Sequence, residues 1–231
     1  AAAIGEHIEI DGGASQVTAG GAVLLPVLAR RTAAAALSGF EWAVGVPGSV
    51  GGAVRMNAGG HGSDMTASVV SATVADLAAE STTDAVRVVP AAELGFRFRN
   101  SDLRPTDLVL EVRLQLRPGD REASEREISE IVAWRRAHQP GGQNAGSVFV
   151  NPVPGEISAG LLIDRMGLRG HRCGSAWVSE KHANFIQASD GGSADDVVAL
   201  MVDVRRRVAE STGFALRSEI RLIGYEGTAD G

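Results

Sequence analysis

The stretch from Gly39 to Gly62, Gly-Phe-Glu-Trp-Ala-Val-Gly-Val-Pro-Gly-Ser-Val-Gly-Gly-Ala-Val-Arg-Met-Asn-Ala-Gly-Gly-His-Gly, constrains the fold of this chain more than any other part of it. Glycine has no Cβ, so turns built on Gly48, Gly51, Gly52, Gly59 and Gly62 are expected to take positive φ and to press main-chain N–H groups against an anion such as a phosphate. Taken alone, the same run also fits a plain glycine-rich turn between packed strands.

Around it the chain is built of short apolar or alternating runs, Ile8 to Ile10, Val69 to Val74, Val86 to Val89 and Leu108 to Leu116, which read as strands separated by Gly, Asp and Pro turns. Val23, Leu24, Val27 and Leu28 fall on helical spacing and lead into Ala33-Ala-Ala-Ala36, a short helix. After Arg117-Pro-Gly-Asp120 the texture changes. Ser124 and Glu127 are spaced as a capping box, with Ile128, Ile131 and Val132 on one face of the helix that follows. A second helix is expected from Ser193 to Ser211, with Val197, Leu200, Met201, Val204 and Val208 as its apolar stripe and Gly213 as its cap. Arg205 to Arg207 read as a solvated run that favours the dipole of that helix. The alternating run Ala215 to Ile223 reads as a closing strand. These textures divide the chain into residues 1–118 and 119–231.

Several function classes are set aside by charge and composition. The 231 residues carry a formal net charge of −6 and a pI near 5.4. With no Lys/Arg stripe, neither a nucleic-acid nor an anionic-membrane partner is expected. An anionic ligand must be met by local donors. No run approaches the ~20 apolar residues of a spanning helix, and no basic segment leads into an apolar one at the N-terminus. The five histidines, His7, His61, His138, His171 and His182, lack paired spacing, and Cys173 is the one cysteine. No metal site and no internal disulfide are expected, and Cys173 reads as a small buried residue of a reducing cytoplasm.

Three further segments follow the glycine run in fixed order: Phe98-Arg-Asn-Ser101, Ala145-Gly-Ser-Val-Phe-Val-Asn-Pro152 and Ser179-Glu-Lys-His-Ala-Asn-Phe185. With these four motifs, from about residue 17 to residue 224, the chain resembles the UDP-N-acetylenolpyruvoylglucosamine reductase family, flavoenzymes of peptidoglycan synthesis. The resemblance implies an α+β fold: a flavin-binding domain of the vanillyl-alcohol-oxidase type and a smaller α+β domain for substrate. It implies FAD as cofactor, NADPH as reductant, a small-molecule substrate (UDP-N-acetylglucosamine enolpyruvate) and a cytoplasmic monomer. One departure stands out. Family members usually begin with a segment carrying a Gly-Ser-Asn turn that forms the other half of the flavin cradle, and Ala1-Ala-Ala-Ile-Gly-Glu-His-Ile-Glu-Ile-Asp11 does not match it. A fragment, with half a cradle and a weak grip on flavin, is the expectation that follows.

The family's roles are carried onto this chain residue by residue. Arg99 matches the catalytic arginine, suited to gripping a carboxylate because its fork makes two bonds and never deprotonates. Arg97, expected to point the same way along a strand, is its rival, and a surface ion pair is the common fate of an arginine. Ser147 matches the serine that delivers the proton, although a hydroxyl is a weak acid and otherwise reads as a turn residue. Glu219 matches the glutamate that would hydrogen-bond the substrate carboxylate when protonated. An ion pair with Arg217 or Arg221 is its other reading. Pro47, Gly48, Ser49, Gly51, Gly52, Asn57 and Gly59 match the flavin-binding turn. Arg135, His138 and Asn151 match contacts to the diphosphate and uracil. His138 stands where lysine is common, so binding that depends on pH near neutrality is expected. Lys181 and His182 line that site or serve structure beside Trp177. Two other readings remain, a UDP-sugar binder without redox chemistry and a flavin oxidase attached through His61.

Overall fold

The computed structural model describes residues 5–81 and 85–225, so the first four residues of the N-terminal run lie outside the described residues. By internal packing the chain forms two compact units, Ala1–Arg135 and Arg136–Gly231.

In the first unit five of the described strands form an antiparallel sheet in the order Ile8–Asp11, Gln16–Gly20, Asp107–Gln115, Val69–Asp76, Val86–Pro90. The four expected strands are all in it, with ends within one or two residues. The long strand Asp107–Gln115 buries Val109, Val112 and Leu114, which breaks strict alternation. The reason is a register shift between Thr73 and Val74, paired to Glu111 and Val109. It leaves Leu110 as a bulge residue, whose carbonyl accepts the Gly21 N–H at 2.7 Å.

Helix α1, Leu25–Ala34, buries Leu25, Leu28, Ala29, Thr32 and Ala33 in the first unit and packs beside the segment Glu41–Gly45. Of the expected face, Val23 and Leu28 are buried. Leu24 and Val27 are about half exposed, at 54% and 46%, because Pro26 at the helix start needs no N–H partner there and fixes the register one position later. Helix α3, Arg121–His138, also begins earlier than the capping box suggests. Asp120 caps it by accepting the Ala123 N–H at 2.8 Å, and Ser124 is instead a buried donor to Glu41 at 2.6 Å. Ile128 and Ile131 join the first unit's core, so α3 packs largely with the unit that a boundary at 118/119 would separate from it.

The second unit holds a four-stranded antiparallel sheet in the order Asn144–Ser147, Phe185–Ala188, Ala176–Val178, Arg172–Cys173. Helices α4, Ala159–Arg165, and α5, Ala194–Thr212, cover its core. The ends of α5 are as its sequence predicts. Ser193 caps it by accepting the Asp195 N–H, and Gly213 closes it at φ +76°. Two of its three arginines are answered locally, since Arg206 and Arg207 both pair with Asp203. Cys173 is half-buried against the core. The closing run does not form the expected strand. Its alternation places Leu216, Ile220 and Leu222 against the core, but the extended segment pairs only through an isolated bridge, Ser218 with Phe149.

Candidate active site

In the first unit the glycine run folds into a turn, Pro47-Gly48-Ser49, and the short helix α2, Val50–Arg55. Its glycines serve two purposes. Gly51 allows close packing: a Cβ there would lie 3.1 Å from the Gly21 carbonyl oxygen and 3.3 Å from that of Val109. Its N–H is spent on Gly21 at 2.9 Å, and that of Val50 on Val23 at 2.8 Å. Gly48 stands at φ +116° with open space where a side chain would be. Among the described residues, the turn amides left without a protein acceptor are those of Gly48 and Ser49; the Ser49 hydroxyl accepts the Gly52 N–H at 3.4 Å. Of the five glycines expected to take positive φ, Gly48 and Gly62 do so, whereas Gly51 and Gly52 sit in helix and Gly59 in a tight hairpin with Asp64.

Asn57 is 3% exposed and fully engaged. Its Nδ2 donates to Asp64 and to the Arg97 carbonyl, both at 3.2 Å. Its Oδ1 accepts from the N–H and the hydroxyl of Thr66, at 3.2 and 3.1 Å. With both donors and both acceptor positions used, Asn57 braces the turn from within and does not act as an open ligand donor.

That brace reaches the Phe-Arg-Asn-Ser motif, which is a tight turn and not the expected strand. Arg97 and Asn100 exchange both main-chain bonds, at 3.1 and 3.0 Å. Arg99, at φ +52°, holds the second central position of the turn. A side chain in the left-handed region carries strain of about 1–3 kcal/mol. The turn separates the two arginines. Arg97 pairs with Asp102 at 2.5 Å, the ion pair weighed for either of them. Arg99 turns to the glycine hairpin, donating to the Gly59 carbonyl at 3.0 Å, with its guanidinium 5.1 Å from the ring centre of Phe98. Ser101 docks the motif on α2 by donating to the Arg55 carbonyl at 2.8 Å.

Arg135, on α3, lies beside Gly45 and His61, and burial lowers its affinity for the proton. His61 stacks edge-on against Trp134 at 5.2 Å; burial and then the Arg135 charge hold its pKa below the usual value. A cavity of about 520 Å³ in this unit is lined by Glu41, Trp42, His61, Arg117 and Glu127 among others. None of the residues assigned to the site from sequence lines it.

In the second unit the structure brings Ser147 and Glu219 into one neighbourhood. Ser147 ends its strand after a bulge, with Gly146 at φ +74° and a register shift between Asn144 and Ser147. The next residue, Val148, accepts the Glu219 N–H on its carbonyl at 2.8 Å. Both side-chain positions are half-buried. Asn151 is committed locally, its Oδ1 accepting the Ala159 N–H at 3.1 Å at the start of α4. His138 is exposed at the end of α3. Lys181 donates to the Arg136 carbonyl. His182 packs on Phe185 at 4.7 Å rather than on Trp177, which instead carries Arg172. Burial, then the charges of Arg169 and His138, lower the His182 pKa. Among the described residues, no group of three or more His, Cys, Asp or Glu is placed to hold a metal, and no helix is long and apolar enough to cross a membrane.

Sequence reasoning overlooked Asn184. It lies within the motif Ser179 to Phe185, but its role depends on burial that the structure shows.

Comparison with known proteins settles the lineage. Residues 138–223 match the family described as UDP-N-acetylenolpyruvoylglucosamine reductase, C-terminal domain, and residues 2–84 match the FAD binding domain family. The UDP-N-acetylenolpyruvoylglucosamine reductase of Gloeobacter violaceus is 44% identical over 93% of this chain and 71% of its own length. The chain belongs to the UDP-N-acetylenolpyruvoylglucosamine reductase family. The reductase of Heliobacterium modesticaldum is 46% identical over 92% of this chain and 66% of its own length. The chain therefore spans about two thirds of the length of these reductases. The crystal structure of the Thermus caldophilus reductase superposes with a TM-score of 0.74 at 37% identity, over 88% of this chain and 71% of that one. The α+β fold, with a flavin-binding domain followed by the reductase C-terminal domain, follows from these matches.

Proposed function

We propose that the chain reduces UDP-N-acetylglucosamine enolpyruvate to UDP-N-acetylmuramate, a step of peptidoglycan synthesis, with FAD as resident cofactor and NADPH as reductant, acting as a cytoplasmic monomer. The observation that supports this reading is the main-chain bond from Glu219 N–H to the Val148 carbonyl, which ties the segment carrying Glu219 to the residue after Ser147 in a chain whose relatives bear that enzyme's name.

The residues present fit one side of a flavin nucleotide. Gly48 is open where a side chain would stand, and the Gly48 and Ser49 amides are available in a turn leading into α2. Val50 and Gly51 take no part, because their amides are already bonded to protein carbonyls. When bound and reduced, the flavin supplies the hydride.

The chain's own residues have three tasks. Arg99 meets the enolpyruvyl carboxylate, offering a fork of N–H donors whose charge stabilises density pushed toward the carboxylate. Its turn, held by the Arg97–Asn100 bonds and by Asn57, fixes that fork before substrate arrives. Ser147 holds a proton at Oγ for the carbon bearing the carboxylate, and the strongly basic enolate-like carbon makes a hydroxyl acid enough to give it. Glu219 meets the substrate, or the intermediate formed from it, with its carboxyl group. Arg135 supplies a cationic contact and His138 a polar one to the diphosphate, which a chain of net charge −6 must meet locally.

Anaerobic absorption spectroscopy of the purified full-length protein tests this. Oxidised-flavin bands, bleached by NADPH and restored by the enolpyruvyl sugar, are expected. A protein that binds the UDP-sugar but carries no flavin contradicts the reading and favours a nucleotide-sugar binder.

A further inference from the structure

The segment Val148-Phe149-Val150 follows Ser147 directly, and its main-chain polar groups are bonded on two sides. The Val148 N–H donates to the Asn184 carbonyl at 2.9 Å, the Val148 carbonyl accepts from Glu219 at 2.8 Å, and the Val150 N–H donates to Arg217 at 3.0 Å. Between them, both polar groups of Phe149 go to a single side chain. Asn184 Oδ1 accepts the Phe149 N–H at 3.0 Å, and Asn184 Nδ2 donates to the Phe149 carbonyl at 2.8 Å. The carboxamide stands in for a neighbouring strand.

Asn184 is 5% exposed and Phe149 is 1% exposed, so solvent offers no ready replacement for these bonds. Asn184 is itself fixed, since its N–H donates to His182 Nδ1 at 3.2 Å. On the other side of Ser147 the strand is bulged, with Gly146 at φ +74°. A bulge leaves the direction of the next side chain to be set by whatever anchors the chain beyond it. Here that anchor is Asn184, and the same segment carries the bond to Glu219.

We infer that Asn184 is a positioning residue for proton delivery: by clamping Phe149 with both ends of its carboxamide, it fixes Ser147 and Glu219 relative to each other. This rests on the reading of Ser147 and Glu219 given above. Among isosteres the amide is specific, because aspartate keeps the acceptor for Phe149 N–H but loses the donor for its carbonyl.

Single-turnover stopped-flow of the full-length holoenzyme tests the inference. Flavin reduction by NADPH and its reoxidation by the enolpyruvyl sugar are followed in the wild type, Asn184→Ala, Asn184→Asp, Ser147→Ala and the double variant Ser147→Ala/Asn184→Asp. Asn184→Asp is included because Asn184→Ala leaves two buried groups unpaired and fails first if folding is compromised. Reoxidation at saturating substrate is expected to slow by about 10- to 100-fold in the Asn184 variants, the scale of a displaced catalytic group, with NADPH reduction unchanged. In the Ser147→Ala background Asn184→Asp is expected to add nothing, because it acts through the missing hydroxyl. Unchanged reoxidation in the Asn184 variants, or equal slowing with and without Ser147, overturns this inference alone. Unchanged reoxidation in Ser147→Ala overturns the reading of Ser147 and this inference with it.

Discussion

The two units hold their candidate groups by different physical means. In the first, backbone conformation does the placing: Gly48 at φ +116°, Arg99 at φ +52°, and α2 pressed against the sheet where a side chain on Gly51 would crowd the Gly21 and Val109 carbonyls. In the second, Ser147 and Glu219 are placed by hydrogen bonds to one extended segment, two of them from the Asn184 carboxamide. Alterations of backbone freedom should therefore be felt as lost flavin and stability in the first unit. Loss of single side chains in the second should be felt as lost chemistry.

The sharpest way to break this contrast is Ser147→Ala, expected to slow flavin reoxidation by the enolpyruvyl sugar by about 10²- to 10⁴-fold. Flavin content and NADPH reduction should stay at wild-type values in the same stopped-flow traces. A parallel loss of flavin would show that the contrast does not hold. Arg99→Lys should cost about 10²-fold in kcat/KM, since a point charge replaces a two-pronged donor. Glu219→Gln should lower kcat far more than it raises KM, and intact turnover in steady-state assays would remove Glu219 from the chemistry.

A smaller effect is expected from Gly51→Ala, where overpacking against Gly21 and Val109 should destabilise by about 1–3 kcal/mol, read as a lower Tm. Gly48→Ala meets no atoms but must adopt a φ that suits glycine, and should cost about 1 kcal/mol and reduce flavin content. If Gly48→Ala keeps its flavin while Gly51→Ala loses it, the division of labour within the turn is reversed.

The smallest effect is on pH dependence. His61 and His182 both have pKa values lowered by burial. The unfolded chain therefore takes up protons near pH 6.5 that the folded chain refuses. Their contribution to stability is complete above that pH and is lost as pH falls toward the lowered folded values. Thermal melts at pH 8 and pH 5.5 should differ, and less so in His182→Leu. In acid a second loss follows: Asp107, which burial alone would raise, is held at about 2 by hydrogen bonds from Arg87 and Arg104. That stabilisation disappears as pH falls from near 4 through 2.

Much of this architecture is legible in the residues, and what is not has physical causes. Alternation found four of the five strands of the first sheet because each sets apolar residues against the core, and missed Gln16–Gly20. It misread Ala215 to Ile223 because an extended segment laid on a core alternates just as a strand does. Ser193 and Gly213 announced the ends of α5 through backbone chemistry that is local. Ser124 imitated a cap because its true partner, Glu41, is 83 residues away. The same reason hid the role of Asn184, whose partner Phe149 lies 35 residues away: only the fold reveals that this buried carboxamide is what its neighbour needs.

The most direct test of the account is an anaerobic titration of the NADPH-reduced full-length protein with UDP-N-acetylglucosamine enolpyruvate, following flavin absorbance in wild type and Ser147→Ala. Return of the oxidised bands within one turnover in the wild type, and near-complete failure to return in Ser147→Ala on that timescale, is the predicted result. Wild-type flavin that stays reduced in the presence of this substrate would contradict it.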